Sequence, residues 1–131
     1  MKTEKRRRGD YGERAALFYL LRRFYRVLAR NYQADGGEID LVAKRRGTLI
    51  FCEIKTRRLD PEKETVLTKP ASAVDRDKRE NLISAARQWL AYHPISRKEI
   101  RFDVIEVYLD PKSKRDRVLK VHHIPSAFRL P

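Results

Sequence analysis

The 131-residue sequence predicts a single α/β domain of two helices and five strands. Its length leaves room for one hydrophobic core and no second. Apolar residues make up 41% of the chain, enough to fill that core. Their spacing switches between a 3.6-residue and a two-residue period, so helices and strands alternate within the one domain.

Lys2 to Arg8 reads KTEKRRR and offers nothing to pack, so residues 1–9 are expected to form a mobile basic arm ahead of a domain spanning 10–131. A helix is predicted over 10–24, with Asp10 as its cap and Glu13 at the reciprocal third position. Ala16, Leu17, Leu20, Leu21 and Phe24 recur at three-to-four spacing on its buried face. From Tyr25 the period falls to two, giving a strand over 25–32, then a loop over 33–37. Strands over 38–44 and 48–56 follow, joined tightly at Arg46-Gly47. Residues 59–73, with Pro61, Pro70 and many charges, read as a surface loop. A second helix over 74–92 buries Leu82, Ile83, Ala86, Trp89 and Leu90 and stops before Pro94. Strands over 100–109 and 117–124 close the domain across a polar turn at Asp110-Pro111-Lys112-Ser113-Lys114.

Lysine and arginine number 31 against 18 aspartates and glutamates, a net charge of +13 that points to a polyanionic partner. The basic residues cluster in the first quarter and again after the central hairpin. Arg7, Arg8, Arg14, Arg46, Arg57, Arg58, Arg76 and Lys78 are the candidates for nucleic-acid contact. The arginine fork bonds two phosphate oxygens at once, so recognition of backbone shape is expected rather than base readout. The single Cys52 excludes an internal disulfide and fits a reducing, cytoplasmic setting. No stretch approaches the roughly 20 apolar residues that span a bilayer, so neither export nor membrane insertion is expected.

The hairpin carries the chemistry. With Arg46-Gly47 as a two-residue turn, Arg45 faces Thr48 and partners can be counted outward. One face then collects Ile39, Leu41, Ala43, Ile50, Cys52 and Ile54, all apolar. The other sets Asp40 opposite Glu53 and Glu38 opposite Lys55, beside Val42, Leu49 and Phe51. Opposed carboxylates repel, and a divalent cation relieves them; oxygen donors without cysteine or a well-placed histidine suit Mg²⁺ or Mn²⁺ rather than Zn²⁺. Lys55, two residues beyond Glu53, is placed to orient or help deprotonate an attacking water, and such a set suits a phosphodiester. The plainer reading stays open: a Glu38–Lys55 salt bridge on a wet sheet face, with Asp40 a solvated acid. Adjacent in one strand, His122 and His123 point to opposite faces and make a poor metal pair. Cys52 and Trp89 read as core, His93 as a partner for helix-terminal carbonyls.

Asp40, twelve residues, then Glu53-Ile54-Lys55 resembles the signature of the PD-(D/E)xK nuclease superfamily. Arg30-Asn31-Tyr32, Gly36 to Ala43, Leu49 to Phe51 and Glu53 to Arg57 resemble the hallmark block of the bacterial YraN-like family, assigned to that fold by similarity to Holliday-junction resolvases. The resemblance implies a restriction-endonuclease-like fold: a central mixed β-sheet of about five strands flanked by helices. It also implies Asp40 and Glu53 as metal ligands, Lys55 as catalytic lysine, and Glu13 as the helix glutamate that completes the site; Glu38 is a further candidate metal ligand from the hairpin register. Ile39 stands where the superfamily pattern has proline, and residues 58–70 match no pattern. The activity expected is metal-dependent hydrolysis of nucleic acid, DNA favoured over RNA, by a monomer or homodimer. The alternative is a non-catalytic nucleic-acid-binding module on the same fold.

Overall fold

A computed structural model describes residues 4–58, 76–97, 99–110, 112 and 117–128. Helix α1 (Glu4–Arg22) leads into strands β1 (Arg26–Ala34), β2 (Gly37–Arg45) and β3 (Thr48–Arg58). Helix α2 (Arg76–Tyr92) then crosses to β4 (Glu99–Leu109), and β5 (Val118–Phe128) returns beside it. The strands form one sheet in chain order, β1-β2-β3-β4-β5. Only β3 and β4 run parallel, as the α2 crossover between them requires. This is the mixed five-stranded α/β architecture expected, and it is consistent with a restriction-endonuclease-like fold.

α1 begins at Glu4, not at Asp10, so the backbone of residues 4–9, expected as an arm, is helical. Glu, Lys and Arg are all good helix formers, and a run of like charge does not by itself end a helix. Residues 1–3 of the arm lie outside the described residues. The other end is sharper. Phe24 takes φ 65°, while the Tyr25 N–H reaches the Leu20 carbonyl at 3.1 Å and the Phe24 N–H the Leu21 carbonyl at 3.1 Å. These two bonds form a Schellman stop, and buried Tyr25 and Leu20 supply its apolar contact.

The segment read as a loop at 33–37 is a hairpin. Ala34 pairs with Gly37 across Asp35-Gly36, a turn dipeptide whose signal was present in the sequence. Arg46 and Gly47 both have positive φ, 50° and 84°, which gives the twisted two-residue connection predicted. β5 runs four residues past Ile124. Pro125 does not end it because an edge strand tolerates a missing N–H, and Phe128 stacks on Phe102 with ring centroids 4.8 Å apart. The loop at 59–73 and the first residues of the predicted second helix, 74 and 75, lie outside the described residues.

Two apolar layers clamp the sheet. Ala16 and Leu20 of α1 cover Leu41, Ala43, Ile50 and Cys52, with Ile105, Val107 and Leu109 beyond them. Leu82, Ala85, Ala86 and Trp89 of α2 cover Val42, Leu49, Phe51 and Phe102 on the opposite face. Cys52 and Trp89 are thus core, as expected, and His93 stacks on Trp89 and pairs through Nδ1 with its carbonyl at 2.8 Å. Ile39 departs from the expected alternation and packs with the α2 layer. No described helix is long and apolar enough to cross a membrane.

α1 lies very close to β3 at Gly12, where a methyl group would come within 1.8 Å of Thr56 Oγ1. That contact sets how near Glu13 approaches the sheet. Phe24 is 88% exposed, so its left-handed conformation is offset by little burial. Phe24→Gly should therefore raise stability by about 0.5–1 kcal/mol in urea unfolding. An unchanged or lower midpoint contradicts this account of the helix end.

Candidate functional site

The β2–β3 ladder runs from Arg45↔Thr48 to Leu41↔Cys52 and stops there. The register counted from the sequence holds that far. The next expected partners, Asp40 with Glu53 and Glu38 with Lys55, are not ladder pairs. Asp40 Oδ2 instead accepts the Ile54 N–H at 2.7 Å, so a side-chain carboxylate takes the place of a ladder carbonyl. Past this point β2 is held by β1 and β3 by β4. Ile39 lies beyond the same break, where the β3 register no longer fixes its face.

A cavity of about 360 Å³ sits at this break, walled by Glu38, Asp40 and Glu53 of the strands and by Lys78, Asn81 and Leu82 of α2. Gly37 brings the strand close to α2, since a methyl group there would meet the Asn81 carbonyl at 2.8 Å. Glu53 is 5% exposed. Its Oε1 is paired with the Lys78 ammonium, while Oε2 is buried with no hydrogen-bond partner among the described residues. Burial, and then the charges of Glu53, Glu38 and Glu13, push Asp40 up to about 6, against the pull of the Ile54 N–H.

Hard oxygen donors, an orphaned buried carboxylate oxygen and an excess of negative charge are what a Mg²⁺ or Mn²⁺ ion neutralises. Asp40 and Glu53 could hold one. Among the described residues no three His, Cys, Asp or Glu side chains converge into a ready-made cage. Glu38 is exposed and takes a 2.8 Å bond from Gln33, its neighbour across β1. That leaves a two-carboxylate site, the kind in which Mg²⁺ keeps much of its hydration.

Glu13, half-buried on α1, is not part of the cavity wall; Asn31 Nδ2 lies 3.4 Å from its Oε2, and its charge is the weakest of those acting on Asp40. Lys55 is half-buried and follows Glu53 by two residues on an unbroken ladder, so the two share a face. It is not part of the cavity wall. The basic candidates separate. Lys78, expected on nucleic acid, holds Glu53 instead, and Arg57 Nε lies 3.2 Å from Glu106 Oε2, paired by charge. Arg46 occupies the turn at the far end of the hairpin, seven residues from Glu53 and so about 20 Å along the strand. It does not belong to this edge. Arg14, Arg58 and Arg76 are exposed; Arg14 lies over the Tyr11 ring and Arg76 pairs with Glu80. The side chains of Arg7 and Arg8 lie outside the described residues.

Of two buried acids on β4, sequence reasoning missed Glu106 and read Asp103, between Phe102 and Val104, as a polar residue at the edge of the core. Asp103 and Glu106 are 1% and 2% exposed in a strand buried on both faces. Charges inside such an apolar run need partners, and that was the available signal. His123 Nε2 and Arg101 meet Asp103 at 2.7 and 2.9 Å, while His122 Nδ1 and Tyr108 Oη each lie 3.2 Å from Glu106. Burial alone would raise Asp103, but bonds from His123, Arg101 and the Ser126 N–H bring it below the ordinary aspartate value.

Residues 12–107 match the model of the Uncharacterised protein family UPF0102. A UPF0102 protein of Trichlorobacter lovleyi is 38% identical over 123 residues, covering 93% of this chain and 90% of its own length. One from Moorella thermoacetica is 38% identical over 128 residues, covering 98% and 100%. Another, from Caldanaerobacter subterraneus, is 35% identical over 127 residues, covering 97% and 98%.

Because Asp40 lies at about 6 when folded and at 3.8 otherwise, the folded protein binds its proton more tightly, and ionising it as pH rises from 4 to 6 destabilises the fold. Asp40→Asn keeps the acceptor for Ile54 and removes the charge. In chelator, thermal melts should show little difference at pH 4 and a gain for the variant of about 1–3 kcal/mol at pH 7.5. A variant less stable than wild type at pH 7.5 contradicts the assignment.

Proposed function

The chain belongs to the UPF0102 family, the YraN family, and from its carboxylate cleft we propose that it is a divalent-metal-dependent nuclease acting on DNA, including branched or damaged forms. The observation that carries this reading is the buried Glu53 carboxylate, with one oxygen on Lys78 and the other, beside Asp40, unpartnered among the described residues. An oxygen left in that state costs stability unless a ligand uses it.

In this reading Asp40 and Glu53 hold Mg²⁺ or Mn²⁺, with Glu38 and Glu13 adding negative charge around them. The ion, when bound, supplies Lewis acidity and positive charge at the phosphodiester. Asp40 works as a ligand only when ionised, so the ion competes with its proton and is held less tightly as pH falls below about 6. The Ile54 N–H fixes the orientation of its carboxylate. Lys55, on the face of Glu53, holds the attacking water and stabilises charge that develops on the phosphate. The excess of basic residues draws a nucleic-acid backbone to the protein, and the single buried thiol fits work in the cytoplasm.

A second reading, a module that binds nucleic acid without cutting it, is favoured by one observation. Lys78 already neutralises half of the Glu53 carboxylate. In that case the cation needed at the site is the protein's own.

A cleavage panel separates the two. Single-stranded, duplex, flapped and four-way-junction DNA, and RNA, are incubated with the protein in Mg²⁺ or Mn²⁺. The nuclease reading expects cleavage of at least one DNA form that chelator abolishes and that Lys55→Ala and Asp40→Ala each lower at least about 100-fold. Binding in every lane, with no cleavage that the variants alter, establishes the non-catalytic module instead.

A further inference from the structure

His122 and His123 stand side by side on β5, and each meets a buried carboxylate of β4 from opposite faces of the sheet. The two pairs use the same chemistry and end differently. On the α1 side His123 is closed in: Nε2 bonds Asp103 at 2.7 Å, Nδ1 meets the Tyr19 hydroxyl at 3.1 Å, and the side chain is 10% exposed. Both ring nitrogens are used, which is what a structural histidine requires. On the other face, among the described residues, only His122 Nδ1 is used, on Glu106 at 3.2 Å, and the side chain is 45% exposed.

Glu106 is held from three sides, by Arg57 Nε, the Tyr108 hydroxyl and His122 Nδ1, each at 3.2 Å. A carboxylate accepts, so Nδ1 carries a proton and Nε2 is the nitrogen left for a ligand. Position gives that nitrogen a setting. Lys55 is the register partner of Glu106, and Glu106 is the register partner of His122, so the three form one row across β3, β4 and β5. With neighbouring strands about 4.8 Å apart, His122 lies about 10 Å from Lys55 on the same face. Arg57 and Lys120 flank the row by two-residue steps on β3 and β5. Arg57 is balanced by Glu106, and Lys55 and Lys120 leave a net positive charge around the open imidazole, which disfavours a metal ion and attracts a phosphate.

We propose that His122 is a substrate contact, binding through Nε2 a backbone phosphate of DNA that lies beside the one addressed by Asp40, Glu53 and Lys55. Which phosphate this is rests on the nuclease reading; that His122 binds DNA does not. The backbones of His122 and Lys55 stand two strands apart, about 10 Å, a spacing that suits neighbouring phosphates of one DNA strand. Glu106 is then a positioning residue. It holds the ring through Nδ1, so that Nε2 is the nitrogen presented to the anion.

Binding of fluorescent four-way-junction and duplex DNA, measured by anisotropy in chelator across a salt series, tests this without any cleavage. His122→Ala should weaken binding roughly tenfold and shrink the slope of log affinity against log salt by about one. His122→Lys should restore most of both. His123→Ala should lower the melting temperature yet leave affinity and slope at the wild-type values. Unchanged affinity and slope in His122→Ala, failure of the lysine variant to restore them, or a response with RNA and not with DNA overturns the inference. A null result in the cleavage panel with these binding differences intact removes the nuclease reading and leaves the His122 contact standing.

Discussion

A carboxylate that gives up water must find another partner, and at the centre of this protein Asp40 finds the backbone N–H of Ile54. Much else depends on that one bond. It ends the β2–β3 ladder after Leu41↔Cys52, and the break in pairing is where the cavity lies. It also fixes Asp40 beside Glu53, so that the two acids share a site without being opposed across strands. Burial first, and then the repulsion that remains, raise Asp40. Lys78, reaching from α2, answers part of it.

The frame around this bond is built to keep it in place. Both faces of β3 are packed, by α1 on Cys52 and Ile50 and by α2 on Phe51 and Leu49, so the strand that carries Glu53 and Lys55 has little room to shift. Gly12 lets α1 sit close enough for Glu13 to act on Asp40, and Gly37 does the same for β2 against α2. Beyond Lys55 the polar row continues through Glu106 to His122, joining the carboxylate cleft to a cationic strip on the same sheet face. A polyanion lying along that strip meets acids at one end and bases at the other. Such an arrangement draws the backbone in by charge while leaving the acids for a cation.

The elements were legible because their periods are clean: the central hairpin, its turn and its register from Arg45 to Leu41 follow from alternation alone. What alternation could not show was where the ladder would stop. The parity that placed Asp40 opposite Glu53 assumes continuous pairing, and only the Asp40–Ile54 bond breaks it. Glu13, Asp40 and Glu53 were identifiable as candidates from motif and resemblance. The role of Lys78 was not, because its ammonium comes from an element about 25 positions away, across residues with no periodic signal. Arg57 and Arg46 show the same limit: charge in the sequence says nothing of which acid, or which end of a strand, a side chain meets. Asp103 and Glu106 were readable as anomalies in an apolar strand, and their histidine partners required the β4–β5 register.

The central claim is that Asp40 and Glu53 form a divalent-cation site, and Mn²⁺ titration followed by electron paramagnetic resonance addresses it directly. At pH 7.5 the account predicts loss of the free-ion signal with one ion bound per chain, displaced by excess Mg²⁺ and abolished in both Asp40→Asn and Glu53→Gln. Lys78→Met, which removes the competing ammonium, should bind at least as tightly as wild type. No binding at millimolar Mn²⁺, or binding that survives both carboxylate substitutions, would contradict it.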